Sequence, residues 1–382
     1  AMQGGCTCEN ASLMRINEGN VAFAALFAPR PLGLTTANDW TREMATKGYP
    51  EISKTYQTLG APGMLTLHDR TEFDHNYNLP SRQAMYKWFN EHLGLGRTDP
   101  DNERPHKRLT ERELTVFDKD HPKPTGGKEF ERSLLASLAS ESTSRITNHP
   151  EIARRGWKSI LGTSLQDTGK VEWQLTGKRD RGSYLEMPGL QNNTTHGQQA
   201  PVIWLYPKNW KSEAAIFLSP EGKSGLYDKQ GDPRPEVRAL LRDGVSVCGI
   251  DLFQQGEFLK KNKPLPETRR VKNPREAACY TLGYNRPLFA QRVADILSTI
   301  RMIQADQHGA EKITLVGLKG SGHWAAAAQF LAGKAIHRAA IESSGFEFIK
   351  ITNIRHPDLM PGASKYGGMK GLLSLASGKV WN

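Results

Sequence analysis

The sequence predicts an α/β protein with a mostly parallel sheet and helices on both faces of that sheet. From Tyr184 onward, short buried segments alternate with amphipathic ones, and a glycine-rich turn joins a buried strand to an Ala-rich helix. This alternation requires parallel strands, because each crossover between them carries a helix on one face of the sheet. Of 382 residues, 37% are hydrophobic and 24% are charged, which excludes disorder as the main state.

The first part of the chain, residues 1–96, contains several short elements. The apolar run Val21–Ala28 predicts a buried strand that is closed by Pro29. A polar helix and then a short strand near residues 63–67 are expected next. A further helix is predicted over Ser81–Leu93, because glycines follow it as a stop signal.

Residues 97–180 have a different composition, dense in charge and interrupted by prolines. One convincing helix is predicted there, over Lys128–Ser140. Basic and acidic side chains occur in nearly equal numbers in this stretch, which is typical of a solvent-exposed segment. We therefore expect a charged helical linker rather than a separate core.

The second half repeats strand and helix. Pro201–Tyr206 and Ala214–Leu218 are predicted as neighbouring strands of one sheet. The elements expected after them are a helix over Glu236–Arg242, a strand over Val245–Leu252, a helix over Leu288–Gln304, a strand over Ile313–Val316, a helix over Trp324–Ala332 and a strand over Arg338–Glu342. No repeat of roughly 20–50 residues is apparent, which argues against a solenoid or propeller.

A glycine-rich turn between strand and helix is the most informative segment. The turn Gly317-Leu-Lys319-Gly-Ser321-Gly322 has the sequence form of a nucleophile elbow, in which small neighbours let a strained backbone present one side chain above the sheet. The nucleophile position is occupied by Lys319, and a lysine is a cation that a histidine cannot activate as it activates serine. Ser321, two residues later, is the candidate nucleophile. The alternative is a helix N-terminus that has lost its chemistry.

Asp39 and His75 are the candidate acid and base. Each follows a predicted strand, and the carboxyl ends of parallel strands lie at the same edge of a sheet, so the two side chains are expected to meet. Taken singly, Asp39 is better explained as a helix N-cap, and the alternative for His75 is an ordinary turn histidine. The placement of both at strand ends favours a catalytic pair.

Two groups of motifs resemble a known family. They are Cys6–Ala11, Phe27–Gly33, Ala37–Trp40 and His75–Asn78 in the first part, and Arg269–Arg275, Tyr280–Asn285 and Ala339–Gly345 in the second. Both groups resemble large acetylxylan-esterase-like α/β hydrolases of bacteria. The resemblance implies that residues 1–96 end one hydrolase unit, with Asp39 as acid, His75 as base and a serine elbow upstream of this sequence. It also implies that residues 181–382 form most of a second unit without an elbow serine, in agreement with Lys319.

Two arrangements would follow from this order. The order Asp39, His75, Ser321 is a cyclic shift of the usual order Ser, Asp, His. One arrangement is a circular permutation, in which the predicted strand Val21–Phe27 lies in the same sheet as Ile313–Val316. The other is a composite, in which another molecule, such as a second copy of the chain, completes the sheet.

The loop Leu218–Gly225 follows a predicted strand where hydrolases carry an oxyanion loop. Its Gly222 and Gly225, together with Gly322 of the elbow, are the candidate donors of N–H groups to a tetrahedral intermediate. The alternative for this loop is an ordinary glycine-rich turn. The loop also mimics the end of a phosphate-binding motif, but the required spacing fails at Phe217, which excludes nucleotide binding.

Several classes of function are excluded or disfavoured by composition. The four cysteines suit neither a disulfide framework nor a zinc site, so no metal and no cofactor are expected; Cys6 is an alternative nucleophile. The net charge of +11 is diluted over the C-terminal half without interleaved aromatics, which disfavours nucleic acid as a partner. No apolar run approaches the roughly 20 residues of a membrane span. No signal peptide opens the sequence, and the resemblance allows a secreted or periplasmic location.

The resulting hypothesis is a carboxylic ester hydrolase that acts on small-molecule or carbohydrate esters. In it His75 is the general base, Asp39 holds the tautomer of His75, and Ser321 is the nucleophile. The alternative is a catalytically silent hydrolase-like module that binds carbohydrate or a partner protein, which Lys319 in the elbow favours.

Overall fold

The computed structural model describes residues 11–260, 264–269, 281–376 and 379–381. The chain divides into two compact units, one formed by the described residues of Ala1–Lys128 and Ala278–Tyr284, the other by those of Glu129–Ala277 and Asn285–Asn382. The alternative nucleophile Cys6 and most of the motif Arg269–Arg275 lie outside the described residues.

The first unit is built around a two-stranded parallel sheet. Its elements are α1 (Asn20–Ala25), β1 (Leu32–Thr35), α2 (Tyr49–Thr58), β2 (Leu65–His68), α3 (Leu79–His92) and α4 (Glu111–Leu114). β1 and β2 pair in register, with Leu32 opposite Leu65, and α2 is the crossover between them. Ile52 and Tyr56 of α2 are fully buried and form the core of the unit with Leu65. Because the strands are parallel, the loops after β1 and after β2 leave the sheet at the same edge.

The prediction of a strand over Val21–Ala28 is wrong. Residues Asn20–Ala25 form the helix α1, and none of them is fully buried. A short apolar run does not distinguish a strand from a helix by its pattern, and the three alanines of α1 favour the helix. The expected permuted sheet is wrong for the same region, because β1 and β2 form a sheet of their own.

The second unit contains a nine-stranded sheet with helices. Its elements are α5 (Gly127–Asn148), which starts at the boundary, α6 (Pro150–Leu161), β3 (Val171–Leu175), β4 (Arg179–Asp180), β5 (Tyr184–Asn193), β6 (Gln198–Pro207), β7 (Glu213–Leu218), α7 (Pro235–Arg242), β8 (Val245–Ile250), α8 (Leu288–Ala305), β9 (Lys312–Gly317), α9 (Gly322–Ala332), β10 (Arg338–Ile341), α10 (Gly368–Leu375) and β11 (Lys379–Trp381). Strand order is β11-β10-β9-β7-β8-β6-β5-β3, and β4 also pairs with β5.

Most strands of this sheet run in one direction. β11, β10, β9, β7 and β8 are mutually parallel, β6 is antiparallel to both β8 and β5, and β3 and β4 are antiparallel to β5. β5 therefore points the same way as the parallel set, and the predicted mixed α/β fold with a mostly parallel sheet is confirmed. The prediction that β6 and β7 are neighbours is wrong, because the crossover through α7 brings β8 between them.

Helices α7, α8 and α9 pack against the central strands of the sheet. Val237 and Leu241 of α7 pack against Phe217 of β7 and Val247 of β8. α8 and α9 pack against each other, and α8 also contacts β7 while α9 contacts β9. Since β7, β8 and β9 are parallel, the loops that follow them share one edge of the sheet, as the elbow and oxyanion predictions require.

Candidate active site

Asp39 and His75 lie together in the first unit. Asp39 is on the loop after β1 and His75 on the loop after β2, and the Asn38 N–H donates to the Phe73 carbonyl at 2.7 Å, which ties the two loops. The His75 Nδ1 atom is 2.7 Å from the Asp39 Oδ2 atom. The crossover geometry of β1, α2 and β2 thus brings the predicted acid and the predicted base into hydrogen-bond contact.

The Asp39 carboxylate is held by a second set of hydrogen bonds. Its Oδ1 atom accepts from the Thr41 main-chain N–H at 2.7 Å and from the Thr41 hydroxyl at 2.6 Å. Partial burial by itself would raise the pKa of Asp39, but the hydrogen bonds from Thr41 and His75 outweigh it and hold this pKa below its usual value. The carboxylate is therefore ionised at neutral pH.

His75 presents its imidazole to solvent. Its side chain is 65% exposed, whereas that of Asp39 is only 9% exposed. The Trp40 ring lies 4.5 Å from the imidazole, centroid to centroid. With Nδ1 donating to a carboxylate, Nε2 is the acceptor nitrogen, and this is the tautomer that a general base needs.

In the second unit, β9 enters a tight turn and leaves as α9. A Cβ atom at Gly317 would lie 2.6 Å from the Ala325 Cβ, and one at Gly322 would lie 2.2 Å from the Glu342 carbonyl oxygen. Only glycine fits at these points, so strand and helix approach as closely as an elbow requires. Gly322, an oxyanion candidate, is the first residue of α9 and is buried against β10. The role of the Gly322 N–H as an oxyanion donor stays a prediction.

Lys319 stands at the apex of this elbow. Its φ of 50° is in the left-handed region, where a non-glycine residue is uncommon. The main-chain N–H donates to the Glu342 Oε2 atom at 3.0 Å, and the ammonium lies 3.6 Å from the Glu236 Oε1 atom. The side chain is 64% exposed. The position that the elbow pattern assigns to a nucleophile is therefore filled by a solvated cation that lies beside a carboxylate.

Ser321 is buried behind the apex. Its hydroxyl lies 2.8 Å from the Leu318 carbonyl and 3.0 Å from the Leu218 carbonyl, and the residue has no exposed surface. A hydroxyl in this position reaches an acyl carbon only after leaving both acceptors. Its role as nucleophile stays a prediction. Asp39 and His75 belong to the first unit, and Ser321 belongs to the second.

Two N–H groups of the predicted oxyanion loop already donate to acceptors within the protein. The Gly222 N–H donates to the Ser219 carbonyl at 3.0 Å, and the Lys223 N–H donates to the Asp251 Oδ1 atom at 2.8 Å. A Cβ atom at Gly225 would lie 2.1 Å from the Ser219 hydroxyl oxygen. The glycines here serve close packing, and the oxyanion role of Gly222 and Gly225 stays a prediction.

Sequence reasoning missed an ion cluster at this edge. The buried Asp251 carboxylate pairs with the Lys223 ammonium at 2.5 Å, which also reaches Glu257 at 2.5 Å. Gly222 and Gly256 have positive φ values, and a Cβ atom at either would lie 2.1 Å from the Asp251 carboxylate. An aspartate directly after a buried strand and close to glycines on two loops is the signal that would have found the cluster.

The missed residue nearest to the dyad is Thr41. A threonine two residues after an aspartate indicates a local turn in which hydroxyl and carboxylate meet. Within the described ranges, no group of three or more His, Cys, Asp or Glu side chains is placed to hold a metal ion. Among the helices of the same ranges, none is both long and apolar enough to cross a membrane.

No protein-family model and no curated protein matches the chain. Several solved structures are similar to it. One, from Bacteroides fragilis NCTC 9343 and bearing the name acetyl xylan esterase, is 12% identical, with 70% of this chain and 76% of that chain covered and a TM-score of 0.44. A CE15 esterase from a marine bacterial metagenome is 11% identical, with 72% and 78% covered and a TM-score of 0.40. An acetyl xylan esterase from Paenibacillus sp. R4 is 16% identical, with 49% and 58% covered and a TM-score of 0.33.

These neighbours are named as esterases. At TM-scores below 0.5 and identities of 11%, 12% and 16%, the likeness by itself assigns neither a reaction nor a substrate to this chain. Its function has to be argued from its own residues.

Proposed function

We propose that this chain carries the acid and base of a carboxylic ester hydrolase that acts on small-molecule or carbohydrate esters. The 2.7 Å contact between His75 Nδ1 and Asp39 Oδ2 supports this role, because it leaves Nε2 as a proton acceptor. The motifs that contain the two residues, Ala37–Trp40 and His75–Asn78, resemble those of acetylxylan-esterase-like hydrolases.

In this mechanism His75 moves one proton twice. Nε2 takes the proton of the attacking O–H group as the oxygen bonds to the acyl carbon, and the ionised Asp39 stabilises the imidazolium that results. The imidazolium then returns the proton to the leaving alcohol oxygen when the C–O bond breaks. A water molecule hydrolyses any acyl intermediate by the same two transfers.

The pair of Asp39 and His75 can deprotonate any nucleophile whose O–H or S–H group reaches the His75 Nε2 atom. Ser321 would have to leave its buried position, and Cys6 lies outside the described residues. A water molecule activated directly by His75 needs no side-chain nucleophile. We propose that the attacking group is not Ser321.

The second unit has a separate candidate function. Lys319 at the elbow apex favours a catalytically silent hydrolase-like module, because a solvated ammonium forms no acyl-enzyme by the serine route. The same ammonium pairs with carboxylates, as it does with Glu236, which suits an acidic sugar as ligand.

The test is hydrolysis of 4-nitrophenyl acetate by the purified chain between pH 5 and pH 9. His75→Gln is expected to lower the rate at least 100-fold and Asp39→Asn to lower it by a similar factor, because both remove the base or its orientation. His121→Gln is the matched control, since His121 forms an exposed pair with Asp118 at 3.1 Å. Its rate should equal that of the wild type.

Two results would overturn the assignment of the dyad: no hydrolysis above buffer, or a rate that His75→Gln leaves unchanged. Ser321→Ala tests the nucleophile independently and is expected to keep the rate. A fluorophosphonate probe that labels Ser321 stoichiometrically would restore that residue as nucleophile.

A further inference from the structure

We propose that Thr41 is the positioning residue of the dyad: its hydroxyl fixes the Asp39 carboxylate in the orientation that points Oδ2 at His75. The catalytic consequence of this inference rests on the proposed function, whereas its structural consequence does not.

The hydrogen atoms around Thr41 can be assigned from the contacts. The Ala37 N–H donates to the Thr41 hydroxyl oxygen at 3.0 Å. The single hydroxyl proton is thus available for the contact of 2.6 Å with the Asp39 Oδ1 atom, which also accepts the Thr41 N–H at 2.7 Å. Two donors therefore occupy Oδ1, and Oδ2 is the oxygen that faces the imidazole.

This orientation needs a cause outside the Asp39 side chain. The terminal torsion of an aspartate joins sp³ and sp² carbons and is broad, so rotamer preference alone does not set the plane of the carboxylate. His75 is largely exposed and cannot set it either. The hydrogen bonds from Thr41 are what fix the plane, and through it the tautomer and direction of the imidazole.

The threonine side chain suits this role better than its analogues. Its branched Cβ restricts the first side-chain torsion and so holds the hydroxyl in place. Serine keeps the hydroxyl with more rotational freedom. Valine keeps the shape but removes both the donor to Asp39 and the acceptor for the Ala37 N–H, which belongs to a residue that is 5% exposed.

The experiment compares Thr41→Val, Thr41→Ser and the control Thr58→Val, whose hydroxyl donates to the Lys54 carbonyl on an exposed face of α2 in the same unit. Three readouts are recorded: the ¹⁵N NMR signals of the His75 ring, the titration of the Asp39 carboxyl, and kcat and KM for 4-nitrophenyl acetate. In Thr41→Val the ring signals should move toward a tautomer mixture and the Asp39 pKa should rise. The kcat should fall about tenfold with KM unchanged. Thr41→Ser should retain most of the wild-type values, and Thr58→Val all of them.

The outcomes separate this inference from the proposed function. Wild-type ring signals and an unchanged Asp39 titration in Thr41→Val would overturn it, as would a tautomer mixture in Thr41→Ser. If the ring signals and the titration change as expected while no variant, wild type included, hydrolyses the ester, the positioning role stands and the proposed function fails. Should Thr41→Val not fold, Thr41→Ala removes the same hydroxyl from a smaller side chain, and the same ring signals and Asp39 titration decide the matter.

Discussion

Lys319 holds a backbone conformation that lysine rarely adopts. Its φ of 50° brings Cβ close to the following carbonyl oxygen, which costs about 1–2 kcal/mol. In an active elbow this cost is tied to a nucleophile that must stand above the sheet. Here the apex carries a lysine, and the close packing of Gly317 and Gly322 requires this path of the chain.

We expect Lys319→Gly to stabilise the protein. Relief of the strain, less the greater freedom of glycine in the unfolded chain, should raise the free energy of unfolding by about 0.5–1 kcal/mol. The exposed pair with Glu236 contributes little against this gain. Lys370→Gly in the exposed part of α10 is the control and should lower the free energy by about 1 kcal/mol. Urea unfolding measures both, and a loss of stability in Lys319→Gly would contradict the strain argument.

Some side-chain contacts of the candidate site could be predicted from the sequence, and others could not. The meeting of Asp39 and His75 was predicted from the rule that the carboxyl ends of parallel strands share an edge. The strand expected before Asp39, Val21–Ala28, begins as a helix, and β1, which takes its place, was not predicted. The contacts of the Ser321 hydroxyl could not be predicted, since a sequence does not say which way a side chain points in the first turn of a helix. Thr41 was missed because its contact with Asp39 depends on the conformation of the turn.

At the scale of elements, two side chains of α8 form hydrogen bonds to the loop after β8. The Asp295 carboxylate on α8 accepts the Phe253 N–H at 2.7 Å, and the Arg292 guanidinium donates to the Phe253 carbonyl at 3.2 Å. Burial raises the pKa of Asp295 to about 7, which the Phe253 N–H and the charge of Arg292 offset only in part. The folded protein therefore holds a proton on Asp295 that the unfolded chain releases near pH 4.

The stability of the second unit should consequently depend on pH through Asp295. The folded-state pKa is raised, so the contribution of Asp295 is fully present below pH 4 and is lost as pH rises toward 7. Asp295→Asn is neutral at every pH, and its oxygen still accepts from Phe253. Relative to this variant, the wild type should lose about 2–4 kcal/mol between pH 4.5 and pH 7.5.

Denaturant unfolding at several pH values measures this difference. Asp243→Asn, on the exposed surface, controls for the removal of one negative charge. A difference between the wild type and Asp295→Asn that stays constant with pH would refute the buried-proton account.

Most elements of the second half were predicted within two residues of their observed bounds, the short strands β7 and β9 included. α8 and α9 were placed within two residues, since their apolar and alanine-rich runs exceed any strand. α1 was taken for a strand because eight apolar residues fit either element. β3 and α6 went unnoticed within the charged stretch 97–180. β3 depends on its pairing with β5, and the apolar face of α6, with Trp157 and Leu161 buried, was overlooked among the charges.

At the scale of the whole molecule, the two units differ in the size of their cores. The first has two strands and a small cluster around Ile52 and Tyr56. The second has a nine-stranded sheet, in which β7 and β9 are largely buried. A two-stranded sheet is marginal by itself and depends on the helices that cover it, so the first unit should be the less stable of the two.

Calorimetry should therefore resolve two transitions, with the first unit unfolding at the lower temperature. Ile52→Ala and Ile216→Ala are matched, because both isoleucines are fully buried, one in each unit. Each should destabilise its own unit by about 2–5 kcal/mol and shift only the corresponding transition. A single transition that both variants shift equally would contradict separate cores.

The α/β class of the fold followed from alternation in the second half of the chain, which any parallel sheet imposes. The order of strands in the sheet did not follow, because β6 and β7 are consecutive in sequence and separated by β8 in space. One of the two arrangements expected from the sequence, the circular permutation, placed Val21–Phe27 in the same sheet as Ile313–Val316. That segment begins as a helix, and β1 and β2 pair in a sheet of their own.

The close contacts of Asp251 with Gly222 and Gly256 couple the evolution of these three positions. Gly222 and Gly256 come from different loops, yet each leaves no room for a side chain while the carboxylate stands between them. A side chain at either glycine would clash with the Asp251 carboxylate. Either glycine can therefore be substituted only after Asp251 has been replaced by a smaller residue. Once that has happened, the clash is gone at both glycines, and their positive φ values are the remaining constraint, which asparagine and aspartate tolerate better than other residues. The three positions should accordingly change together among descendants of this chain, in the order aspartate first and glycines afterwards.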